Sequence, residues 1–310
     1  MVVVLINPSA HGGKALQGWE RIEATLEQRL GALTPLVLNG GAEARESLGR
    51  LLSDGQTEFI AAGGDGTVNL LVGTLLEQAP PVLLPRLKVG ALGLGSSNDF
   101  HKPFRQERRI GGVPCRIDFA ATIRHDVGFL NFEDGGRLRT RRWFVNASIG
   151  ITAEANSFFN APDAMLRRLK GRSTSAAIVY AALHALLAHR NREMEVAIDD
   201  QAPFRTRVSN LGVVKNPHFA GTFSYGSPYE PASGHFFVHL CENMSRPRLL
   251  LTLRRASRAG FAGLPSTRSW RARRLVVRAE QAFVVEFDGE VVRTRFAAFY
   301  IQQGAVQLCT

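Results

Sequence analysis

A glycine-rich loop with one acidic residue follows an apolar run early in the chain. Residues 59–69 read FIAAGGDGTVN, so Asp65 and Thr67 stand among three glycines directly after a predicted buried strand. Glycines let backbone N–H groups approach a ligand closely, and a helix that begins at Thr67 would add the positive end of its dipole. This arrangement suits phosphate groups. Because an acid repels a bare phosphate, Asp65 predicts a divalent cation or an incoming hydroxyl nearby.

Two more loops of this kind follow predicted strands. Residues 7–14 read NPSAHGGK and residues 93–100 read GLGSSNDF. One such loop alone is more often a tight turn with a capping Asp, but three loops at successive strand ends favour an anion-binding site. The sequence contains neither GxGxxG nor GxxxxGK[ST]. Ordinary dinucleotide and Walker-type sites are therefore unsupported.

The elements that must position these loops alternate between strand and helix. Apolar runs predict strands at residues 2–6, 34–38, 58–62 and 88–95. Helical spacing is found at residues 16–30, 43–52 and about 68–76. The alternation predicts a parallel sheet covered on both faces, with ligands at the carboxyl ends of its strands.

From about residue 113 the pattern changes to short β-rich segments separated by turn signals, which predicts an antiparallel sandwich or barrel-like domain. The predicted strands include CRIDFAATI, RRWFVNASI, EMEVAI, RTRVSNLGVV, GHFFVHL, RRLVVRA and FVVEF. One long helix pattern interrupts them at residues 164–190, with a possible break near Gly171. Near the end of the chain, FVVEFDGEVVRTRF reads as a β-hairpin that turns at Asp288-Gly289.

Taken in order, these motifs resemble the diacylglycerol kinase and sphingosine kinase family of ATP-dependent lipid kinases, in its soluble bacterial form. The signature is GGDGT at 63–67, preceded by Asn7-Pro8 with Gly12-Gly13-Lys14 and followed by GLGSSNDF at 93–100. The later segments in the family's order are CRIDF (115–119), FVNASIGITAEA (144–155), GRSTSAAIVYAALHAL (171–186), SNLGVVKNPHFAGTFSYGSP (209–228) and FDGE (287–290). GGDGT alone is only moderately specific, since NAD kinases and phosphofructokinases have close variants, but the ordered set covers essentially the whole chain.

The resemblance implies a fold of the class α/β plus β. An N-terminal three-layer α/β nucleotide-binding domain is expected at residues 1–120 together with about 295–310. A C-terminal antiparallel β-sandwich-like domain for the lipid substrate is expected at residues 121–294.

The resemblance also implies site residues. The cofactors expected are ATP and Mg²⁺. Catalytic roles are expected for Asp65 and for Asp288 as the general base, with Asp65 and Glu290 as the metal-binding carboxylates. Nucleotide binding or loop positioning is expected of Asn7, Gly63, Gly64, Gly66, Thr67, Gly95, Ser96, Asn98, Asp99 and Glu290. Glu154 aligns loosely with a position that senses the lipid head group, and an ordinary polar surface role is its alternative.

Two segments depart from the family pattern. Bacterial relatives commonly have Asp-Gly where this chain has Ser233-Gly234, and in some of them the Asp contributes to an accessory structural magnesium site. A serine hydroxyl is a poor ligand for a hard cation, so that accessory site is doubtful here. The glycine cluster near Phe219 reads AGTFSYG, which predicts a substrate pocket of different shape.

Composition bounds the remaining possibilities. The 310 residues are 45% hydrophobic and 21% charged, as in ordinary globular proteins. Three cysteines without metal spacing favour a reducing cytoplasm, and the apolar run near the N-terminus is too short for a signal sequence or a membrane span. A net charge of +11 favours anionic partners.

The excess of positive charge is largest between Glu242 and Glu280, where the sequence has ten arginines and no acidic residue. Interleaved leucines make an interfacial face on an anionic membrane one interpretation of residues 246–278. The alternatives are a solvated arginine-rich helix with leucines in the core, and nucleic-acid binding, which is not expected because no recognised fold motif accompanies the charge.

The family resemblance implies an ATP-dependent lipid kinase acting on a diacylglycerol, a sphingoid base or a similar amphiphile. The protein is expected in the cytoplasm, with peripheral membrane association. The sequence does not decide whether it forms a homodimer. The alternatives are an NAD kinase-like enzyme and a non-catalytic, nucleotide-dependent regulator at the membrane.

Overall fold

The structure is a computed structural model that describes residues 1–104, 108–258, 261 and 263–310. Positions 259, 260 and 262 of the basic segment 246–278 lie outside the described residues. The chain divides into two compact units. Unit 1 is Met1–Val127 with Gln303–Thr310, and unit 2 is Gly128–Gln302.

Unit 1 alternates strands and helices. Its first elements are β1 (Val2–Ile6), α1 (Ala10–Gly13), α2 (Ala15–Glu20), α3 (Glu23–Leu30), β2 (Leu33–Val37), α4 (Gly41–Ser53), β3 (Glu58–Gly63) and α5 (Asp65–Gln78). They are followed by β4 (Lys88–Gly93), β5 (Arg109–Ile110), β6 (Val113–Arg116) and the start of β7 (Thr122–Asp134), with short 3-10 helices at Leu84–Arg86 and Asp99–His101.

The central strands of unit 1 form a parallel sheet in the order β4, β3, β1, β2. Residues 307 and 308 of the last strand pair in parallel with the start of β4, and β6 pairs antiparallel with its end. Parallel strands have their carboxyl ends at one edge, so the loops after β1, β3 and β4 leave the sheet side by side.

Both faces of this sheet are covered. On β1, Val2, Val4 and Ile6 pack in one buried cluster with Trp19 and residues of α3. Val3 and Leu5 point to the opposite face and are equally buried. α5 packs on β3, and α4 packs on α5. The predicted three-layer α/β arrangement is confirmed.

Some boundaries in unit 1 differ from the sequence-based expectation. The helix pattern at residues 16–30 divides into α2 and α3. The helix after the glycine loop begins at Asp65 with Gly64 as its N-cap, so Thr67 lies within its first turn. The predicted strand CRIDFAATI is interrupted because the Asp118 carboxylate accepts bonds from the N–H groups of Ala120 and Ala121, which makes a turn.

Unit 2 is rich in antiparallel strands. It contains the rest of β7, then β8 (Arg137–Trp143), β9 (Asn146–Gly150), α6 (Ile151–Asn160), α7 (Ala164–Arg172), α8 (Thr174–Ala188), β10 (Arg192–Ile198) and β11 (Phe204–Val214). The remaining elements are β12 (His218–Phe219), β13 (Phe223–Ser224), β14 (Phe236–Glu242), α9 (Arg246–Ala256), β15 (Thr267–Ala272), β16 (Arg274–Phe287) and β17 (Glu290–Cys309), which continues into unit 1.

The strands of unit 2 run in the order β15, β14, β11, β10, β16, β17, each pair antiparallel. The long strands β11 and β16 both pair with β10 over one half and with β9 over the other. Trp143, Phe236, Phe283 and Phe299 pack in one buried cluster between these strands. The predicted β-sandwich-like domain is confirmed.

The long helix pattern of unit 2 is broken close to the predicted place. Ser173 is extended and accepts a bond from the N–H of Ala176, so it ends α7 and caps α8. The predicted hairpin turn is also confirmed, because Asp288 and Gly289 both have positive φ, at 46° and 90°, between β16 and β17.

Candidate active-site residues

The register of the parallel sheet brings the three predicted loops of unit 1 together. Gly63 is paired with Gly93, and Ile6 with Ala62. Two further backbone bonds join the strand ends, from Asn7 N to Ala62 O at 3.0 Å and from Leu94 N to Gly63 O at 2.9 Å. The three loops therefore leave adjacent strands at one edge, as the sequence predicts.

Glycines are required at two positions of these loops. A Cβ atom built on Gly95 would lie 2.3 Å from the Cα of Gly64 in the neighbouring loop, so Gly95 is required by the contact between two loops. A Cβ on Gly63 would lie 2.3 Å from the Thr67 hydroxyl, so Gly63 is required by the close packing within the GGDGT loop itself.

Asp65 links two of the loops through its carboxylate. One oxygen accepts the backbone N–H of Phe100 at 2.8 Å and the other accepts that of Asp99 at 3.1 Å. A carboxylate oxygen has two lone pairs, so both oxygens keep capacity for a cation or hydroxyl. Burial and the negative charge of Asp99 raise the pKa of Asp65 to about 6, although the two N–H donors and Lys102 act in the opposite direction.

Asn7 and Thr67 join the first loop to the second. The Asn7 side-chain amide donates to the Thr67 hydroxyl at 3.1 Å, and the backbone N–H of Ser9 donates to the side-chain oxygen of Asn7 at 3.1 Å. Thr67 is buried. This threonine therefore orients the helix start and the first loop in addition to any contact with phosphate.

Asn98 shapes the third loop. It is left-handed, with φ of 50°, and its side chain donates to the carbonyl oxygens of Gly93 and Gly95 while accepting the N–H of Gly95. Ser96 at the tip is exposed. The neighbouring Asp99 is buried and pairs with Lys102. Lys102 was missed by the sequence analysis, although its spacing three residues after Asp99 was an available signal.

In unit 2, Asp288 lies at the hairpin turn but its carboxylate points back into the protein. One oxygen accepts the N–H of Phe144 at 2.5 Å, and the other accepts those of Val145 and Asn146 at 2.9 and 3.0 Å. The residue is only 8% exposed. Burial raises the pKa of Asp288 to about 8, against these three donors, which lower it. Asp288 therefore has a structural role that the sequence did not predict, and its role as a base stays a prediction.

Two further acids flank this turn. Glu290 begins β17 and is exposed. Glu286 is buried and accepts bonds from the Ser148 hydroxyl at 2.7 Å and the N–H of Gly289 at 2.9 Å. Burial raises the pKa of Glu286. Glu286 was not predicted from the sequence as a site residue, and its place two residues before Asp288 in the otherwise apolar run FVVEF was the available signal.

Glu154, the predicted head-group residue, lies in the first turn of α6 and is partly buried. Its carboxylate lies 3.7 Å from His189 Nδ1 and 3.5 Å from Arg192 Nε. Burial acts to raise the pKa of Glu154, but these two neighbours outweigh it and lower the pKa. The pairing ties α6 to the segment after α8, a structural contact that was not predicted from the sequence, and the head-group role of Glu154 stays a prediction.

No group of three or more His, Cys, Asp or Glu side chains within the described ranges is arranged to hold a metal ion. Magnesium in phosphoryl-transfer sites is usually bound by one or two carboxylates together with phosphate oxygens and water. Asp65, whose carboxylate oxygens keep free lone pairs beside the loops, is compatible with that mode of binding in unit 1. In unit 2, Glu290 is exposed.

The described residues thus form an α/β unit with three glycine-rich loops at one sheet edge and, later in the chain, an antiparallel β unit. Two family models match accordingly: the diacylglycerol kinase catalytic domain over residues 1–128, and the YegS C-terminal NAD kinase beta sandwich-like domain over residues 146–310. The chain belongs to this diacylglycerol kinase family.

Curated relatives match over part of their length. A "Diacylglycerol kinase" of Staphylococcus epidermidis is 28% identical over 154 residues, which are 47% of this chain and 42% of the relative. A "Probable lipid kinase YegS-like" of Chromohalobacter salexigens is 37% identical over 89 residues, or 26% of this chain and 27% of the relative. The chain thus matches less than half the length of either relative.

Solved structures match over nearly the whole chain. A crystal structure of a diacylglycerol kinase from Bacillus anthracis str. Sterne has a TM-score of 0.66 at 14% identity, covering 99% of this chain and 96% of the other. Another structure from that organism has a TM-score of 0.71 at 15% identity, with the same coverage. At 14–15% sequence identity, this structural similarity establishes the fold alone.

Proposed function

We propose that the protein is an ATP-dependent lipid kinase that transfers the γ-phosphoryl group to a hydroxyl of diacylglycerol, a sphingoid base or a similar amphiphile. The observation behind this proposal is the joined loop site of unit 1, in which the Asp65 carboxylate connects the GGDGT loop to the backbone of Asp99 and Phe100. Membership of a lipid kinase family supports the same reaction.

In this proposal the loops bind ATP through backbone N–H groups and the start of α5. A helix leaves the N–H groups of its first turn without intrahelical partners, so they are available to phosphate oxygens. The residues assigned to the nucleotide are Asn7, Gly63, Gly64, Gly66, Thr67, Gly95, Ser96, Asn98 and Asp99. Asn7 is already hydrogen-bonded to Thr67, and Gly95 to Asn98, which supports a site that is ordered before ATP binds.

Magnesium would be bound beside the loops of unit 1 by Asp65 together with the phosphates, and it would neutralise charge that develops on the transferred group. Glu290 stays a predicted metal-binding carboxylate of unit 2. The contribution of the chain's own residues is positional. Asp65 has both oxygens aligned by two N–H donors, which fixes the carboxylate direction without rotation at the time of reaction.

The acceptor hydroxyl must lose a proton, and unit 2 offers two carboxylates at one hairpin turn. Asp288 remains the proposed base, with a pKa near neutrality that suits proton transfer. Its three N–H contacts leave little room for a substrate, however, whereas Glu290 is exposed. We therefore propose Asp288 and Glu290 together as the acids on the acceptor side of the reaction.

A screen with radiolabelled ATP against a panel of diacylglycerols, sphingoid bases and related lipids in mixed micelles tests the reaction. The expected result is a labelled lipid product that depends on added Mg²⁺. A matched control is Asp54→Asn, since Asp54 lies just after α4 and not in the predicted loops. Absence of turnover with every lipid, alongside tight ATP binding, would instead favour the non-catalytic regulator.

An NAD kinase-like activity is the second candidate, because the family model for residues 146–310 is described as NAD kinase beta sandwich-like. The same assay with NAD in place of lipid distinguishes the two. Labelled NADP without labelled lipid would overturn the lipid kinase proposal.

A lipid kinase must reach its substrate at a membrane, and two helices of unit 2 have exposed apolar residues. On α8, Val179, Leu183 and Leu187 are spaced by four residues, so they share one helix face, and all three are exposed. On α9, which packs against α8, Leu250 and Leu251 are exposed. Within the described ranges, the helices are all too short or too polar to cross a bilayer.

The charge around these leucines favours an anionic membrane as the partner. α7 and α9 contain the basic residues Arg167, Arg168, Lys170, Arg172, Arg246, Arg248, Arg254 and Arg255, and neither helix contains an acid. Farther along the basic segment the arginines have partners, since Arg268 binds Glu242 and Arg271 binds Glu230. Since α7 and α9 both pack against α8, we propose these three helices as the docking face, and expect peripheral association of a cytoplasmic protein.

Co-sedimentation with vesicles tests this face. Binding should require anionic lipid and fall between low and physiological salt, each basic residue near the surface contributing about 1 kcal/mol. The double variant Leu183→Asp, Leu187→Asp should bind anionic vesicles more weakly than the wild type at the same salt concentration. Val82→Asp, a substitution at an exposed apolar residue of unit 1, should leave vesicle binding unchanged. Salt-insensitive binding to neutral and anionic vesicles alike would contradict electrostatic docking.

A further inference from the structure

The accessory magnesium site that the family resemblance implies for residues 230–235 does not fit the residues present. Ser233 supplies a neutral hydroxyl where a carboxylate would be needed. The one acid in this segment, Glu230, has its carboxylate 2.9 Å from the Arg271 guanidinium, so it is already paired. The segment therefore lacks an available anionic ligand.

The backbone of the same segment nevertheless forms a cradle of oxygens. The carbonyl oxygens of Glu230 and His235 converge, and the Ser233 hydroxyl lies 3.4 Å from each of them. Gly234 has φ of 68°, which turns the chain sharply between the two carbonyls. The His235 N–H and ring bind back to Ser233, at 3.3 Å to its hydroxyl and 2.7 Å to its carbonyl oxygen. Converging carbonyls of this kind are cation ligands.

A side-chain ammonium group lies in this cradle. Lys215 Nζ donates to Glu230 O at 2.6 Å and to His235 O at 2.7 Å. The lysine is only 2% exposed and follows directly after β11. Its own N–H and that of Asn216 donate to Val145 O, which fixes the base of the side chain. The bonds are as short as charge-assisted hydrogen bonds, as expected for an ammonium group between two carbonyls.

We propose that the Lys215 ammonium takes the place of the accessory divalent cation in this chain. It supplies the positive charge that the converging carbonyls require, and because it is covalently attached, segment 230–235 is stabilised without a free ion. A divalent cation would be excluded, since the ammonium occupies the ligand oxygens and repels it. The proposal does not depend on the lipid kinase reaction.

Removing the Lys215 ammonium by substitution tests the proposal. In Lys215→Met the carbonyl oxygens of Glu230 and His235 lose their hydrogen-bond donor, so the melting temperature of the protein should fall by about 5 °C or more. The matched control is Lys170→Met, since Lys170 Nζ donates to one carbonyl, Phe159 O at 2.8 Å, outside any cradle. A smaller decrease is expected there.

The double variant Lys215→Met, Ser233→Asp should convert the cradle into a metal site. We expect one Mn²⁺ per chain by isothermal titration without nucleotide, and a melting temperature that rises with Mn²⁺. The single variant Ser233→Asp should not gain this site, because the new carboxylate would pair with the Lys215 ammonium. Adding Asp65→Asn to the double variant distinguishes Mn²⁺ bound at segment 230–235 from Mn²⁺ bound at the glycine loops, because only the second should be lost.

Two results would overturn the proposal. The first is wild-type protein that binds one Mn²⁺ which Ser233→Ala removes and Asp65→Asn does not. The second is a folded double variant that gains no Mn²⁺ site, which would show that the carbonyls do not form a cation cradle.

Discussion

Two aspartates, one at the start of a helix and one in a hairpin turn, each beside a glycine, accept backbone N–H groups from a distant segment of the chain. In unit 1, Asp65 connects the GGDGT loop to Asp99 and Phe100. In unit 2, Asp288 connects a hairpin turn to residues 144–146. Both were predicted from the sequence to be catalytic, and both are first of all structural connections.

The two carboxylates differ in their surroundings. Asp65 accepts two N–H groups, has Lys102 and Asp99 nearby, and has a pKa raised to about 6. Asp288 accepts three N–H groups, is more deeply buried, and has a pKa raised to about 8. A carboxylate that still has lone pairs beside a loop site can bind a ligand, whereas one enclosed by amides mainly stabilises the fold.

The largest effect is expected from Asp288→Asn. If Asp288 is the base, kcat should fall by roughly 10²–10⁴. In addition, an amide N–H would face a backbone N–H, so the variant should lose about 1–3 kcal/mol of unfolding free energy. Kinetics and urea unfolding measure the two effects on one preparation.

Glu290→Gln is the control for Asp288→Asn, because Glu290 is exposed and its substitution should leave stability unchanged. Asp288→Asn could keep a normal kcat while losing stability, and Glu290→Gln could show a large decrease in kcat. That pair of results would assign the role of the base to Glu290.

Asp65→Asn should lower kcat about a hundredfold, since a neutral amide binds neither magnesium nor the reacting hydroxyl equally well. One amide oxygen can still accept an N–H from Asp99 or Phe100, so the fold should persist. Steady-state kinetics and circular dichroism are the measurements. Near-normal turnover would refute the catalytic assignment and leave Asp65 as a loop connection only.

Gly95→Ala should weaken ATP binding by roughly tenfold to a hundredfold, because its Cβ would collide with the backbone of Gly64 and separate the loops. The control is Gly73→Ala in α5, where a Cβ meets nothing within 4 Å and the helix should gain about 1 kcal/mol. ATP titration monitored by calorimetry distinguishes the variants, and equal affinities would argue that the loop contact is not needed for the nucleotide.

The smallest effect is in the pH dependence. If ionised Asp65 is required, kcat/KM should fall about tenfold per pH unit below about 6. Because the pKa of Asp65 is raised on folding, its contribution to stability is complete below 3.8 and is lost as the pH rises through about 6. For Asp288 the loss continues to about 8.

Unfolding at a series of pH values, with Asp65→Asn and Asp288→Asn for comparison, separates the two contributions. Asp65→Asn should remove the part of the stability change that ends near pH 6, and Asp288→Asn should remove the part that continues to about pH 8. Identical pH profiles for wild type and both variants would contradict the raised pKa values.

The fold and the set of loop residues could be predicted because they depend on local patterns. Apolar runs of β1, β3 and β4 with intervening helices require a parallel sheet, and parallel strands must place GGDGT, Asn7 and Asn98 at one edge. The Asp-Gly turn at Asp288 was equally local, since positive φ at both positions selects those residue types.

What the side chains do was decided only by tertiary structure. The direction of the Asp288 carboxylate depends on amides 142 to 144 positions earlier in the chain, and the partners of Lys215 lie 15 and 20 positions later. Sequence patterns report local propensity and burial periodicity, but a buried charge is stabilised by whichever donors or acceptors the fold brings to it. Those partners come together only when distant strands have paired.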